Sequence, residues 1–118
     1  MTNLENLAYT KFTTDDFFTT HNVALLAYHD GLASDYYPSP FGGENAWFLQ
    51  HPTNSDLRLE FDIIADDEGM VEGWTYTAYE RDGDTWYAID TDGYGLREGE
   101  HERHLIDNIV ATLTNWAK

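Results

Sequence analysis

The chain has 118 residues, of which 22 are acidic and 6 are basic, so its formal net charge is −16. Because phosphate groups are negative, this balance argues against direct binding to nucleic acid or to an anionic membrane surface. The chain has no cysteine, which excludes disulfide bonds, thiolate catalysis and cysteine-based zinc sites. The length and the 42% share of hydrophobic residues predict one globular domain over residues 1–118.

The first residues, MTNLENLAYTKF, contain neither a basic segment nor an apolar core, so we expect no secretory signal. No apolar run approaches the ~20 residues that a membrane-spanning helix needs. From these two features we expect a cytoplasmic protein.

Residues 14–30 have the pattern of an amphipathic helix. Thr13 or Thr14 suits its N-cap, and the two aspartates that follow favour the positive end of a helix. The side chains at helical spacing are Phe17, His21, Ala24, Leu25, Tyr28 and Leu32. The next segment, residues 33–45, contains two prolines and two glycines and is predicted to be a loop.

Four strands are predicted next, at about residues 46–51, 57–65, 70–80 and 85–90. The second strand has the clearest pattern, because apolar residues alternate with Arg58, Glu60 and Asp62. Asp82-Gly83 predicts a type I′ hairpin turn between the third and fourth strands. Short turns between the last three strands predict an antiparallel meander.

Residues 91–99 are predicted to be a second loop, and residues 100–117 a closing helix with one apolar stripe. The stripe of the closing helix consists of Leu105, Ile109, Leu113 and Trp116. Since each helix has one apolar side, both are predicted to cover the same face of the sheet. The predicted fold class is therefore α+β: an N-terminal helix, a four-stranded antiparallel sheet and a C-terminal helix.

Short motifs do not indicate a metal site or a catalytic site. A calcium loop starting at Asp90 would have Tyr94 and His101 at two ligand positions, and neither residue fits. His101 and His104 lie three residues apart on the closing helix, but the zinc-peptidase motif has a different spacing. No serine lies in a G-x-S-x-G context. We therefore expect no metal, no cofactor and no enzymatic activity.

The acidic residues are concentrated in the middle of the chain, since residues 56–107 contain 16 acidic and 4 basic residues. Dense like charge destabilises a compact state, so it indicates either a basic partner or a need for solubility. The predicted partner-binding residues are Glu60, Asp62, Asp66, Asp67, Glu68, Glu72, Asp82, Asp84, Asp90 and Asp92, with Tyr76, Tyr79 and Trp86 as aromatic anchors.

This pattern favours a small acidic protein that inhibits a nuclease or another DNA- or RNA-binding protein, with carboxylates in place of phosphates. In size and charge it resembles the small acidic inhibitors that phages use against bacterial defence systems, including anti-CRISPR and anti-restriction proteins. That resemblance implies the cytoplasm of the host cell as the place of action.

Three other classes remain open. An immunity protein or a secretion-chaperone-like module, including a homodimer, has the same size and acidity. A salt-adapted domain of other function would also be acidic and poor in lysine, and this chain has only Lys11 and Lys118. A small hydrolase or ligand-binding domain would use the loop at residues 36–43 as a lid over a pocket.

Overall fold

A computed structural model describes residues 19–40, 45–68 and 71–118 of the chain. Within these ranges it contains two helices, α1 (Thr20–His29) and α2 (Glu102–Trp116). The same ranges contain five strands: β1 (Asp35–Pro38), β2 (Trp47–Gln50), β3 (Leu57–Ala65), β4 (Val71–Asp82) and β5 (Thr85–Gly95). The strands form one sheet in the order β1-β2-β3-β4-β5, and every neighbouring pair is antiparallel.

The predicted α+β class with an antiparallel sheet is confirmed, but the predicted number of four strands is wrong. The additional strand is β1, which lies in the segment predicted to be a loop. Tyr36 and Tyr37 favour a strand and pair with β2. Pro38 ends β1 without breaking the sheet, because an edge strand has no outer neighbour that needs its N–H group.

Strand β5 is longer than predicted and continues through residues 91–95, which were predicted to be a loop. Its register with β4 shifts between Ala78 and Tyr79, because β5 contains one extra residue, Ile89. Such a bulge reverses the alternation of side chains along the strand. Trp86 and Tyr94 therefore project from opposite faces of the sheet, although their numbers differ by eight.

Helix α1 begins at Thr20, where Oγ1 of Thr19 accepts the N–H of Asn22 at 3.2 Å. The predicted caps Thr13 and Thr14 lie outside the described residues. The hydroxyl oxygen of Thr20 also accepts the N–H of Ile63 at 3.0 Å, where β3 extends beyond its pairing with β2. Among the described residues, neither helix has both the length and the apolar content required to cross a membrane.

One buried cluster joins the two helices to the sheet. Its largest fully buried members are Trp74, Phe61, Leu49 and Leu59 from the sheet, and Leu105, Ile106, Ile109 and Leu113 from α2. Helix α1 contributes Val23, Ala24 and Ala27, whereas Tyr28 is 43% exposed. The predicted stripe of α1 was therefore wrong in detail. The side chains that face the sheet are small, and small side chains allow a close approach between helix and sheet. Helix α1 contacts β1, β2 and β3, and α2 contacts β4 and β5.

Two polar contacts attach α2 to the sheet. The indole N–H of Trp74 donates to Oδ1 of Asn108 at 2.8 Å. At the other end of α2, Nε2 of the buried His51 lies 2.8 Å from the carbonyl oxygen of Trp116. Two backbone N–H groups of the following turn donate to Nδ1 of His51, so Nε2 carries the hydrogen and donates to the helix.

The β4–β5 hairpin is present, but its turn is not of the predicted type I′. Asp82 pairs with Thr85, so Gly83 and Asp84 form the two-residue loop. Gly83 has a φ of +64°, and no non-glycine residue in the described ranges has a positive φ. A positive φ at the first loop position alone matches a type II′ turn.

We expect Gly83→Ala to lower the free energy of unfolding by about 1 kcal/mol, because alanine is strained at a positive φ. Gly95→Ala is the matched control: a Cβ at residue 95 meets no atom within 4 Å, and no positive φ is required there. Denaturant unfolding of both variants checks this expectation. Equal stability of the two variants would contradict it.

Candidate protein interface

The sheet has one face toward the helices and a second face, called the distal face, directed away from them. Strand register assigns to the distal face Tyr37, Phe48, Arg58, Glu60, Asp62, Thr75, Thr77, Tyr79 and Trp86. Four of the predicted partner-binding residues, Glu60, Asp62, Tyr79 and Trp86, lie on the distal face, whereas Tyr76, Asp90 and Asp92 project toward the helix side.

Arg58 is the centre of the distal face. Its guanidinium carbon lies 4.3 Å from the ring centroid of Phe48 and 4.0 Å from that of Trp86. Nη1 of Arg58 donates to the hydroxyl of Tyr37 at 3.3 Å. A guanidinium group between aromatic rings combines cation–π attraction with close packing. Phe48 is only 1% exposed, and its ring contacts on this face include Arg58, Tyr37 and Tyr79.

The predicted aromatic anchors are therefore partly committed to internal contacts. Trp86 and Tyr79 surround Arg58, with the ring of Tyr79 centred 5.9 Å from the guanidinium carbon. Tyr76 lies on the other face, where its ring centroid is 4.9 Å from that of Trp74. None of these three residues is fully exposed.

Glu60 and Asp62 are half-buried on the distal face rather than free surface charges. The hydroxyl of Ser39 donates to Oε2 of Glu60 in a short hydrogen bond. Burial raises the pKa of Asp62 above its usual value, a hydrogen bond from Thr20 opposes the shift, and the charge of Glu60 adds to it. A partner would have to compete with these internal contacts for either carboxylate.

Five exposed carboxylates lie on the β4–β5 hairpin, and we call this surface the acidic hairpin. Its members are Glu80, Asp82, Asp84, Asp90 and Asp92. Asp90 and Asp92 lie opposite Ala78 and Tyr76 in the register. Burial raises the pKa of Tyr76, and the charges of Asp92 and Asp90 raise it further.

The remaining predicted acids lie at the opposite end of β4. They are Asp66, Asp67, Glu68 and Glu72, in and after the β3–β4 turn, where Oδ1 of Asp66 accepts the N–H of Glu68 at 2.9 Å. Asp92 lies opposite Tyr76, four residues along β4 from Glu72, so the nearest members of the two acidic groups are about 13 Å apart along the strand. The predicted residues therefore occupy three surfaces rather than one patch.

Sequence analysis missed two exposed apolar side chains on β5. Tyr87 is 53% exposed and Ile89 is 56% exposed, and both lie among the carboxylates of the acidic hairpin. They belong to a stretch of β5 in which nearly every residue is exposed. The sequence indicated this exposure only through their position directly after a hairpin turn, on the last strand of the predicted sheet.

Sequence analysis also missed the contacts of Glu100, which connect β5 to the start of α2. The hydroxyl of Tyr94 donates to Oε2 of Glu100 at 2.6 Å, and the N–H of Arg97 donates to Oε1 at 2.9 Å. Nδ1 of His104 lies 3.0 Å from the same Oε2. These contacts, with that from Tyr94 the strongest, lower the pKa of Glu100 from 4.5 to about 2. The sequence indicated only the contact between Glu100 and His104, through their spacing of four residues.

A depression of about 640 Å³ lies over the paired segments 71–75 of β4 and 93–96 at the end of β5. Gly73, Gly93 and Gly95 leave part of its lining without side chains, and Glu72 is the one carboxylate in the described lining. A Cβ at Gly73 or Gly93 would collide with a carbonyl oxygen of the opposite strand, whereas one at Gly95 would meet nothing. The first two glycines are therefore required by strand packing.

No group of three or more histidine, aspartate or glutamate side chains within the described ranges is placed to hold a metal ion. His101 caps α2, with Nδ1 accepting the N–H of Arg103 at 3.0 Å. His104 faces Glu100. The two histidines thus have separate local partners.

Comparison of the chain with protein-family models, with curated proteins and with solved structures finds no significant match. Functional interpretation therefore depends on the charge and geometry of the chain itself.

We expect Arg58→Ala to lower the free energy of unfolding by about 1–2 kcal/mol, because it removes the stacked guanidinium and exposes Phe48. Arg58→Lys keeps the positive charge but loses the planar stack, so it should recover only part of this stability. Thermal unfolding and tryptophan fluorescence measure the effect. Full stability in Arg58→Lys would show that charge alone matters.

We expect Tyr94→Phe to raise the pKa of Glu100 from about 2 toward 4.5, because the strongest hydrogen bond to the carboxylate is lost. Since the folded pKa is depressed, the stabilisation by Glu100 is complete above about 4.5 and is lost as the pH falls toward 2. Carboxyl ¹³C NMR titration measures the midpoint, and Tyr87→Phe, on the same strand, is the control. An unchanged midpoint in Tyr94→Phe would refute the assignment.

Proposed function

We propose that this chain is a non-enzymatic protein that binds a basic surface of another protein and blocks its use by nucleic acid. The observation that carries the proposal is the acidic hairpin: five exposed carboxylates lie on the same hairpin as the exposed side chains of Tyr87 and Ile89. The net charge of −16 extends this local field over the whole molecule and favours rapid encounter with a positive partner.

The charge of the acidic hairpin is compensated only weakly within the molecule. Arg81 is the one basic residue between Glu80 and Asp92. Its Nη2 lies 2.8 Å from Oδ1 of Asp56, so it is already paired with a carboxylate outside the hairpin. Both side chains are about half exposed, and such surface pairs contribute little, ~0–1 kcal/mol. The carboxylates of the hairpin are therefore available to an external cation.

Tyr87 and Ile89 supply apolar contact area, which the carboxylates do not. Electrostatic attraction mainly speeds association and selects the partner, whereas buried aromatic and aliphatic side chains slow dissociation. Tyr87 and Ile89 can be desolvated by a partner while the surrounding carboxylates pair with its lysines and arginines. Asp90 and Asp92 repeat on the same side of β5 at about 6.6 Å, a regular row of negative charge.

In its finer form the proposal describes an inhibitor of the kind that phages use against bacterial defence proteins, acting in the host cytoplasm. Support for this form comes from small size, strong acidity and the absence of catalytic motifs in the sequence. The basic partner is expected to be a nuclease or another DNA- or RNA-binding protein, and the carboxylates would occupy the positions of phosphates.

We expect Asp90→Asn combined with Asp92→Asn to weaken binding to the basic partner by at least about tenfold, mainly through slower association. The partner is captured from host lysate at ~0.15 M salt, and its affinity is measured again at ~1 M, where screening is strong. Asp35→Asn combined with Asp107→Asn removes the same charge elsewhere and is the matched control.

A second readout tests blocking directly. The chain should displace nucleic acid from the captured protein, and the Asp90/Asp92 variant should do so less well than the control variant. Equal effects of the two variants would remove the acidic hairpin from the mechanism. If no basic protein is captured and the fold becomes more stable as salt rises, the acidity is an adaptation to salt and the proposal fails.

A further inference from the structure

We infer that β5 is a docking edge, where an extended basic segment of the partner adds to the sheet as a sixth strand. This inference rests on the proposed function and specifies how the partner is held. Main-chain hydrogen bonds along an open sheet edge are an established mode of peptide recognition, with affinity from the backbone and specificity from alternate side chains.

The two edges of the sheet differ in their capacity to accept a strand. Strand β5 lies at one end of the strand order and has 11 residues, nine of them exposed. Strand β1 lies at the other end, has four residues and ends in Pro38, which has no N–H to donate. Proteins commonly protect sheet edges with short strands and proline, as β1 does. The edge at β5 contains no proline and no lysine.

The register identifies which backbone groups of β5 point outward. The N–H of Leu96 donates to the carbonyl oxygen of Glu72 at 2.7 Å. Because hydrogen-bonded positions alternate along an antiparallel pair, the N–H and C=O groups of Thr91, Gly93 and Gly95 point away from β4.

Two side-chain contacts agree with this assignment. The N–H of Gly93 donates to Oδ1 of Asp92 at 2.8 Å, as an outward group can and a ladder group cannot. The hydroxyl groups of Thr91 and Thr77 lie 3.2 Å apart across the strands, and side chains are closest at positions that do not share ladder hydrogen bonds.

The edge also has room for the side chains of an added strand. Gly93 and Gly95 place no side chain on the distal side of β5, beside the depression of about 640 Å³. The exposed apolar side chain in its lining is Ile64, which is 39% exposed and lies opposite Gly73 in the register. A strand placed along residues 91–95 would direct an apolar side chain over this surface.

Charge selects the occupant of the edge. Asp82, Asp84, Asp90 and Asp92 lie on or beside β5, so lysine or arginine side chains at alternate positions of the added strand would meet carboxylates. A second copy of this chain would bring the same acids and a further charge of −16, which opposes pairing of two β5 edges. We therefore commit to a basic segment rather than to a homodimer.

The decisive variant is Thr91→Pro. Proline removes an outward N–H group that the sixth strand requires, and the ladder with β4 does not use that group. Thr91→Val retains the N–H and is the matched control. The probe is a ten-residue peptide of alternating arginine and valine, with blocked ends, and its Kd is measured by isothermal titration calorimetry at ~0.15 M salt.

The wild-type chain and Thr91→Val should bind the peptide equally, and Thr91→Pro should lose at least about tenfold in affinity. Peptide binding should also slow hydrogen exchange of the β5 amides. If Thr91→Pro fails to fold, as judged by circular dichroism, the same question is answered with wild-type chain and a peptide N-methylated at every second residue, which should not bind.

The outcomes separate this inference from the proposed function. If Asp90→Asn with Asp92→Asn weakens binding of the natural partner, but neither Thr91→Pro nor N-methylation has any effect, the acidic surface binds without strand addition and the inference is wrong. If sedimentation shows a dimer at ~1 M salt that Thr91→Pro abolishes, a second copy occupies the edge and the inference is also wrong.

Discussion

The bulge at Ile89 distributes the side chains of β5 between the two faces of the sheet. Before the bulge, Trp86 projects to the distal face and lies over the guanidinium group of Arg58. After it, Tyr94 projects to the helix side and donates to Glu100. Without the extra residue, strict alternation would place Trp86 and Tyr94 on the same face. The contact of Trp86 with Arg58 and the contact of Tyr94 with Glu100 both depend on this single irregularity.

Arg58 packs on the face of the sheet that is directed away from helices α1 and α2. Helices α1 and α2 cover one side of the sheet, whereas Phe48 projects to the other side and is still almost completely buried. The stacked guanidinium and the rings of Tyr37, Tyr79 and Trp86 take the place of a further layer of structure. In a chain with few cations, one of them is thus held in packing contacts on the distal face.

The sequence predicted the parts of the fold in which local pattern and tertiary packing agree. Strand β3 alternates cleanly, and α2 has a regular apolar stripe. Strand β1 was missed because prolines hide a short pairing of two tyrosines with β2, and the end of β5 was missed because glycines normally disfavour strands. Gly73 and Gly93 are required because a Cβ would collide with a carbonyl oxygen of the neighbouring strand. That contact joins residues far apart in the sequence, so a local sequence pattern does not reveal it.

The candidate interface was predictable in composition but not in arrangement. The number of acidic residues indicated a basic partner. Strand β4 lies between the acids of the β3–β4 turn and the tip of the acidic hairpin. Glu60 and Asp62 are partly buried, so they are not free surface charges. Exposure of Tyr87 and Ile89 follows from the position of β5 at the sheet edge. The stacking of Arg58 on aromatic rings could not be predicted either, because in the sequence Arg58 occupies an ordinary polar position of a strand with one exposed face.

The proline at the end of β1 has a consequence for assembly. A sheet grows into a fibre only when each added molecule presents a fresh edge that the next can join, so a filament needs two receptive sides per subunit. With Pro38 and a short strand on one side, this molecule has a single receptive side. Copies of this chain that joined through β5 would therefore stop at two, because both outer edges of the pair would be β1 strands.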